Sequence, residues 1–204
     1  PGSGLYYNCA SLADAQVRAY ALKAPDFGWG GAEAGERTKM LFINSPHNPT
    51  GAVLSKEELG QIADFAKANN LLVVSDEAYD RLLYDGLEHR SIASEPGMRD
   101  RTVILGSFSK TYSMTGWRLG SVAGAPNIRF NNPEGAFYLF IDHRDTGLDS
   151  VTFCKRLLEE QLVACVPGDD FGPSGEGHIR ISYATSTENC AEGARRIRAF
   201  LNNH

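Results

Sequence analysis

Lys110 stands in a stretch whose residue types could do chemistry. It follows Ser107 and Ser109, precedes Arg118, and comes shortly after a predicted strand, Thr102–Leu105. A neutral lysine amine is a nucleophile, and both desolvation and a neighbouring cation lower the pKa of a lysine. Hydroxyl groups and an arginine fork also suit a phosphate dianion. The stretch therefore indicates a Schiff-base lysine beside a phosphate site or, alternatively, a solvated loop with an ordinary surface lysine.

Three predicted strands carry the residues around this lysine: Lys39–Asn44, Leu71–Ser75 and Thr102–Leu105. Their apolar runs are continuous, which is typical of parallel strands buried on both faces and covered by helices. A helix is predicted to start at Ser55, because Ser55 and Glu58 fit a capping box. The spacing of its apolar residues predicts that one face is buried, namely Leu59, Ile62, Ala63 and Ala66.

Polar residues follow each of these strands at its end. Asn48 follows the first strand, Asp76 and Tyr79 follow the second, and Ser107 and Lys110 follow the third. Ligands of open α/β sheets bind beyond the carboxyl ends of the strands. We therefore expect these side chains to converge on one edge of the sheet.

The sequence predicts little regular structure in the N-terminal part of the chain and a second folded unit in the C-terminal part. A short helix is expected around Tyr6–Ala13, a strand over Val17–Leu22, and another strand over Gly116–Ala123. Pro49 could follow a cis peptide bond, which only X–Pro bonds adopt cheaply. A small α+β unit is predicted from the strands and helices Phe137–Ile141, Ser150–Gln161, Val163–Val166, His178–Tyr183 and Thr187–Leu201. Its helices should bury Phe153, Leu157 and Leu158, and then Ala191, Ala194, Ile197 and Leu201.

Three motifs in register resemble those of the class I/II aminotransferases, which are fold-type I pyridoxal-phosphate enzymes. They are Ser107-x-x-Lys110 with Gly116-Trp-Arg-Leu-Gly120, Asn44-Ser-Pro-His-Asn-Pro-Thr-Gly51, and Ser75-Asp-Glu-Ala-Tyr79. The resemblance implies an α/β fold: a large cofactor-binding domain with a mostly parallel sheet covered by helices, over residues 1–126, and a small C-terminal α+β domain, over residues 127–204. It implies transfer of an amino group between an L-amino acid and a 2-oxo acid.

The resemblance also implies a role for each matching residue. Lys110 would carry pyridoxal 5'-phosphate as a Schiff base and move the substrate proton, and Asp76 would pair with the pyridine nitrogen. Tyr79 and Asn48 would donate hydrogen bonds to the ring oxygen. Ser107 and Arg118 would bind the phosphate, with Ser109 a weaker candidate. Arg180, together with Asn48, would bind the substrate, the arginine through the α-carboxylate. Glu77 should point elsewhere, and no role is expected for His47, His89, His143 or His178.

Bulk properties bound the partners and the location. A net charge of −5 gives no reason to expect nucleic acid or an anionic membrane. No apolar run is long enough to cross a bilayer, and no signal peptide opens the chain. The four cysteines show no C-x-x-C spacing, so we expect reduced thiols, no metal site and a cytoplasmic protein. The resemblance implies a homodimer.

Two parts of the family pattern are missing from this sequence. The phosphate-binding turn that normally precedes these motifs is absent, and the alignment puts Ser3 where an aromatic residue would stack on the cofactor ring. Between Ala125 and Pro133 there is too little chain for the helices that the family has there. A C–S lyase or decarboxylase on the same scaffold, and a non-catalytic fragment, therefore stay open as alternatives.

Overall fold

The computed structural model describes residues 4–106, 129–130 and 134–202. These residues form two compact units. One comprises residues 19–106 and 134–136, and the other comprises residues 4–18, 129–130 and 137–202. The predicted domain boundary between residues 126 and 127 and the predicted strand Gly116–Ala123 lie outside the described residues.

The first unit is built on a parallel sheet of three strands. The three predicted strands are present as β1 (Met40–Asn44), β2 (Leu72–Asp76) and β3 (Thr102–Leu105), and they follow one another across the sheet. Both pairs are parallel, and Asn44 lies opposite Asp76 in the register. The connection from β1 to β2 passes through a helix, which makes this part of the chain a β-α-β unit.

That helix, α2 (Lys56–Ala68), begins where the capping box places it. The Ser55 hydroxyl accepts a hydrogen bond from the Glu58 main-chain N–H at 3.2 Å, and the Glu58 carboxylate accepts one from the Ser55 N–H at 2.8 Å. These bonds satisfy main-chain donors that a helix start leaves open. The predicted apolar face is confirmed, since all four of its residues are buried: Leu59, Ile62, Ala63 and Ala66.

The prediction that β3 is a buried strand is wrong. Val103, Ile104 and Leu105 are 45%, 49% and 41% exposed. β3 is the last strand of the three, and within the described residues it pairs only with β2. An apolar run indicates a strand that other elements could cover, but burial of the strand requires that those elements pack on it.

The strand predicted over Val17–Leu22 is also absent, because residues 15–23 have no regular secondary structure. A side-chain hydrogen bond, and not main-chain pairing of a strand, attaches this segment to β1. The Tyr20 hydroxyl donates a hydrogen bond to the Phe42 main-chain oxygen at 2.9 Å, and its ring packs edge-on against Trp29. Burial raises the pKa of Tyr20 to about 12. Before this segment, the predicted short helix is present as α1 (Gly4–Leu12).

The second unit contains an antiparallel sheet of four strands. Its core is aromatic: Phe140, Phe153 and Phe200 are fully buried, and the last two pack edge-on at 5.2 Å. In the described part of this unit, α1 is followed by β4 (Arg129–Phe130), β5 (Tyr138–Asp142), α3 (Ser150–Gln161), β6 (Val166–Pro167), β7 (His178–Ser182) and α4 (Thr187–Leu201). The strands lie in the order β4-β5-β7-β6.

α3 and α4 have the predicted bounds, but three details of the prediction for this unit are wrong. Leu158 is 49% exposed, because it follows the buried Leu157 by one residue and so points about 100° away around the helix. Ala191 is exposed, one turn before the buried face begins at Ala194. The strand expected over Val163–Val166 is reduced to Val166–Pro167, the two residues that pair with β7.

Candidate active site

The carboxyl ends of the parallel strands lie side by side in the first unit. Asn44 ends β1 opposite Asp76, which ends β2, and Asp76 in turn lies opposite Leu105 at the end of β3. Asn48 and Tyr79 come four and three residues after the first two strand ends. Three of the predicted site residues therefore lie at the ends of neighbouring strands or just beyond them: Asp76 is the last residue of β2, and Asn48 and Tyr79 follow β1 and β2.

The Asn44 side chain joins these two strand ends. Its amide nitrogen donates to the main-chain oxygen of Asp76 at 2.9 Å and to that of Pro46 at 3.2 Å. Its amide oxygen accepts from the main-chain N–H of Asn48 at 2.9 Å. Sequence reasoning assigned no role to Asn44. The available signal was an asparagine at a strand end before a proline-rich turn, where prolines remove donors and side chains must replace them.

The turn that carries Asn48 is stabilised by hydrogen bonds between its own main-chain groups. The His47 N–H donates to the Ala52 oxygen at 2.8 Å, and the Gly51 N–H donates to the His47 oxygen at 2.7 Å. Gly51 has a φ of 75°, a conformation that favours glycine. The peptide bond before Pro49 is cis, as the sequence suggested. Asn48 therefore sits on a turn of defined shape.

Asp76 is the last residue of β2, and Tyr79 stands on the tight turn that follows. One carboxylate oxygen of Asp76 accepts a hydrogen bond from the Ala78 N–H at 3.1 Å, and the aspartate is half-buried. The Leu82 N–H donates to the Tyr79 oxygen at 2.8 Å, and Tyr79 itself is only 6% exposed. A carboxylate is a group that suits a cationic ring nitrogen, and a phenol is one that suits an anionic ring oxygen.

Glu77, which sequence reasoning set aside, is buried in a polar network of its own. Its carboxylate accepts hydrogen bonds from the Ser91 hydroxyl at 2.6 Å, from His89 Nε2 at 2.8 Å and from the Ser75 hydroxyl at 2.9 Å. Burial raises the pKa of Glu77, but these hydrogen bonds outweigh burial and hold the pKa below its ordinary value of 4.5. His89 thereby has a structural role that the sequence did not indicate.

Arg180 lies in the second unit, on β7 opposite Phe140 and Val166. Its guanidinium carbon lies 4.3 Å from the ring centre of Tyr138 and 4.8 Å from that of Phe171. Two aromatic faces at this distance attract a cation and fix the plane of the fork. The arginine is half-buried, and a guanidinium fork is a group that suits a planar anion such as a carboxylate.

The remaining predicted residues, Ser107, Ser109, Lys110 and Arg118, lie outside the described residues, and so does Ser3. Among the residues that are described, no group of three or more histidine, cysteine or acidic side chains could hold a metal ion. In the same part of the chain, no helix has the length and apolar character that crossing a bilayer requires.

Comparison with known proteins decides the family. The family described as "Aminotransferase class I and II" matches residues 1–131 and 125–197. The chain belongs to the class I and II aminotransferases. This family depends on pyridoxal phosphate, and its solved members have the fold-type I architecture, to which the parallel sheet with its helix belongs.

Curated and solved aminotransferases agree with this assignment. The chain is 38% identical to an aspartate aminotransferase of Pyrococcus abyssi and 37% identical to aromatic-amino-acid aminotransferase 2 of Thermococcus litoralis, in each case over 81% of this chain and 58% of the relative. The crystal structure of an aromatic aminotransferase from Pyrococcus horikoshii superimposes with a TM-score of 0.78 at 35% identity, covering 83% of this chain and 61% of that one.

The chain is shorter than these aminotransferases, and part of the difference is internal. It spans 58% of the length of the curated relatives it matches. The alignment with the Pyrococcus abyssi enzyme runs over 228 residues, which exceeds the 204 residues of this chain, so that enzyme has residues between matched segments that this chain lacks. The two family matches meet at residues 125–131, where the sequence predicts too little chain for the family's helices.

Proposed function

We propose that this protein is a pyridoxal-phosphate-dependent aminotransferase that moves an amino group between an L-amino acid and a 2-oxo acid. The observation that carries the proposal is the placement of Asn48, Asp76 and Tyr79 at or just beyond neighbouring strand ends of a parallel sheet. Family membership supports the reaction class, because the matched relatives are aminotransferases. The identity of the amino donor and of the acceptor is left open by this proposal.

The described residues fit the cofactor by the chemistry of their donors and acceptors. The Asp76 carboxylate would pair with the protonated pyridine nitrogen, and Tyr79 and Asn48 would donate hydrogen bonds to the ring oxygen. Ser107 and Arg118 would bind the phosphate, and the Lys110 amine would hold the cofactor covalently. The bound cofactor would supply an electron sink for the bond broken at the substrate α-carbon.

The protein's own residues would then bind the substrate and move its proton. Arg180, with its fork oriented by Tyr138 and Phe171, would hold the α-carboxylate by paired charge-assisted hydrogen bonds. Asn48 would add an amide contact to the substrate. The Lys110 Nζ, once released from the cofactor, would take the proton from the substrate α-carbon as a general base. Asp76 would keep the ring nitrogen protonated by holding its negative charge beside it.

Borohydride trapping tests the central assignment. We expect reduction of the cofactor-loaded full-length protein, followed by peptide mapping, to place a pyridoxyl group on Lys110. Lys110→Ala should abolish the adduct, whereas Lys67→Ala, a change at a lysine paired with Asp64 on the surface of α2, should leave it unchanged. A pyridoxyl group on any other lysine of the wild-type protein would refute the assignment.

We also propose that the full-length protein is a cytoplasmic homodimer whose larger domain includes residues 1–126 of this chain and whose smaller domain includes residues 127–204. The family resemblance supports the dimer, and sedimentation equilibrium of the full-length gene product measures it directly. A monomer that turns over at an undiminished rate would contradict the dimer. Product analysis with several amino acids separates transamination, which yields a new amino acid, from C–S cleavage or decarboxylation, which does not.

A further inference from the structure

Two half-buried cysteines of the α+β unit face each other. Cys154 lies on α3, and Cys165 lies directly before β6. Their sulfur atoms are 3.2 Å apart, and both thiols are reduced. Disulfide formation would bring the sulfur atoms closer by about 1.2 Å.

The surroundings keep this pair in place. α3 ends at Gln161, and its cap residue Leu162 has a positive φ of 56° and donates its N–H back to the Leu158 oxygen at 3.0 Å. The chain therefore reverses within a few residues and returns Cys165 alongside Cys154. The residue after Cys165 is Val166, which pairs with Arg180 of β7 in the sheet. Cys154 is therefore held by a helix, and Cys165 is held by the start of a strand.

We propose that Cys154 and Cys165 form a redox-active dithiol that is oxidised to an intramolecular disulfide by low-molecular-weight disulfides. The Cys165 thiolate attacks one sulfur of the small disulfide, forming a mixed disulfide and releasing the other half as a thiol after it takes a proton from water. Cys154 then loses its proton to solvent and attacks the Cys165 sulfur, which releases the second half as a thiol. Two protein thiols are oxidised, and one small disulfide is reduced to two thiols.

The order of attack follows from how the two sulfur atoms interact. A hydrogen bond with Cys154 lowers the pKa of Cys165, because the shared proton stabilises a thiolate there. The same contact is the largest cause that raises the pKa of Cys154, and burial and the nearby acids Asp169 and Asp170 act in the same direction. The thiolate is the attacking species, so Cys165 reacts first and Cys154 resolves the mixed disulfide.

Oxidised glutathione provides the test, with Cys9 and Cys190 as internal references. Cys9 is exposed, and Cys190 is half-buried with its thiol directed at the Tyr183 oxygen at 3.7 Å. The reduced protein is incubated at graded ratios of oxidised to reduced glutathione, alkylated and mapped by mass spectrometry. We expect a cross-linked Cys154–Cys165 peptide, lighter by two hydrogens, at a ratio about tenfold lower than the ratio at which Cys9 or Cys190 is modified.

Serine variants test the order of attack. Cys154→Ser should trap a glutathione adduct on Cys165, whereas Cys165→Ser should leave Cys154 alkylated rather than glutathionylated. Cys190→Ser is the matched control and should leave the cross-link unchanged. Stable glutathione adducts on both wild-type cysteines, or two alkylated cysteines at ratios that already modify Cys9, would overturn the dithiol. Faster adduct formation at Cys154 than at Cys165 in the single variants would overturn the order of attack.

Discussion

The side-chain amide of Asn44 donates a hydrogen bond to the main-chain oxygen of Asp76, so one side chain ties the ends of two neighbouring strands together. The same side chain accepts from the Asn48 N–H. Asn44 thus positions Asn48 and Asp76, two of the residues proposed to contact the cofactor, without having to contact the cofactor itself.

Asn44→Ala should therefore lower the stability of the protein. It leaves the Asn48 N–H without this acceptor and removes the amide donor to the Asp76 and Pro46 oxygens, and the expected loss in the free energy of unfolding is about 1–3 kcal/mol. Urea unfolding measures it. Asn69→Ala is the matched control, because the Asn69 amide also donates to a main-chain oxygen, that of Phe65, but does so at the exposed end of α2. Equal effects of the two changes would contradict the positioning role.

The Glu77 network should make stability depend on pH. Since hydrogen bonds hold the pKa of folded Glu77 below its ordinary value of 4.5, folding favours the ionised form. The stabilisation is fully present above pH 4.5 and is lost as the pH falls through the lower pKa of the folded state. Glu77→Gln should cost about 1–3 kcal/mol at neutral pH and flatten this part of the stability profile.

Glu192→Gln is the control for that measurement. Glu192 bridges Arg195 and Arg196 on α4, and their hydrogen bonds lower its pKa to about 2, but its side chain is 43% exposed to solvent. Solvent screens such pairs, so this change should have a much smaller effect at neutral pH. If Glu77→Gln unfolds with the same pH profile as the wild-type protein, the network does not stabilise the fold in the way proposed.

The sequence predicted features that depend on neighbouring residues, such as helix bounds. It did not predict whether a strand is covered by distant segments of the chain. The bounds of α3 and α4 and the start of α2 depend on caps and periodicity within a few residues, so the sequence contains all that decides them. The exposure of Ile104 depends on which elements cover β3, and an apolar run says nothing about whether they are there.

The candidate site shows the same division. Motif spacing placed Asn48, Asp76 and Tyr79 after neighbouring strands, because parallel strands of known order bring their carboxyl ends to one edge. The partners of Glu77 were missed, since His89 comes twelve residues later and reaches it only through the folded turn. Contacts between side chains far apart in sequence have no periodic signature.

The cap of α2 provides a prediction of purely local origin. Ser55→Ala should lower the free energy of unfolding by about 0.5–2 kcal/mol, because the Glu58 N–H loses its acceptor. Ser55→Asp restores an acceptor and should recover most of that loss. Ser186→Ala, at the cap of α4, should cost a similar amount. A Ser55→Ala protein as stable as the Ser55→Asp protein would show that the capping box contributes nothing measurable.

Asp76→Asn should separate cofactor binding from turnover in the full-length enzyme. The substitution preserves the shape of the side chain and leaves the main-chain contact to Asn44 in place, but it removes the charge that would keep the ring nitrogen protonated. We expect cofactor absorbance to be retained and the single-turnover rate to fall by about 10²-fold or more. Asp80→Asn, at an aspartate whose side chain is 36% exposed beside Arg81, should leave the rate unchanged. A near-normal rate in the Asp76 variant would remove Asp76 from the proposed machinery.

Arg180 should distinguish substrates by their carboxylate. Loss of a charge-assisted pair costs about 1.5–3 kcal/mol, so Arg180→Ala should lower kcat/KM for amino acids by about one to two decades. Amines that lack the carboxylate should lose much less. Arg180→Lys keeps the charge but not the fork, so its loss for amino acids should be intermediate. Because the guanidinium packs between Tyr138 and Phe171, thermal unfolding of each variant must accompany the kinetics. Equal losses for amino acids and for the matching amines would show that Arg180 supports the fold and does not bind the carboxylate.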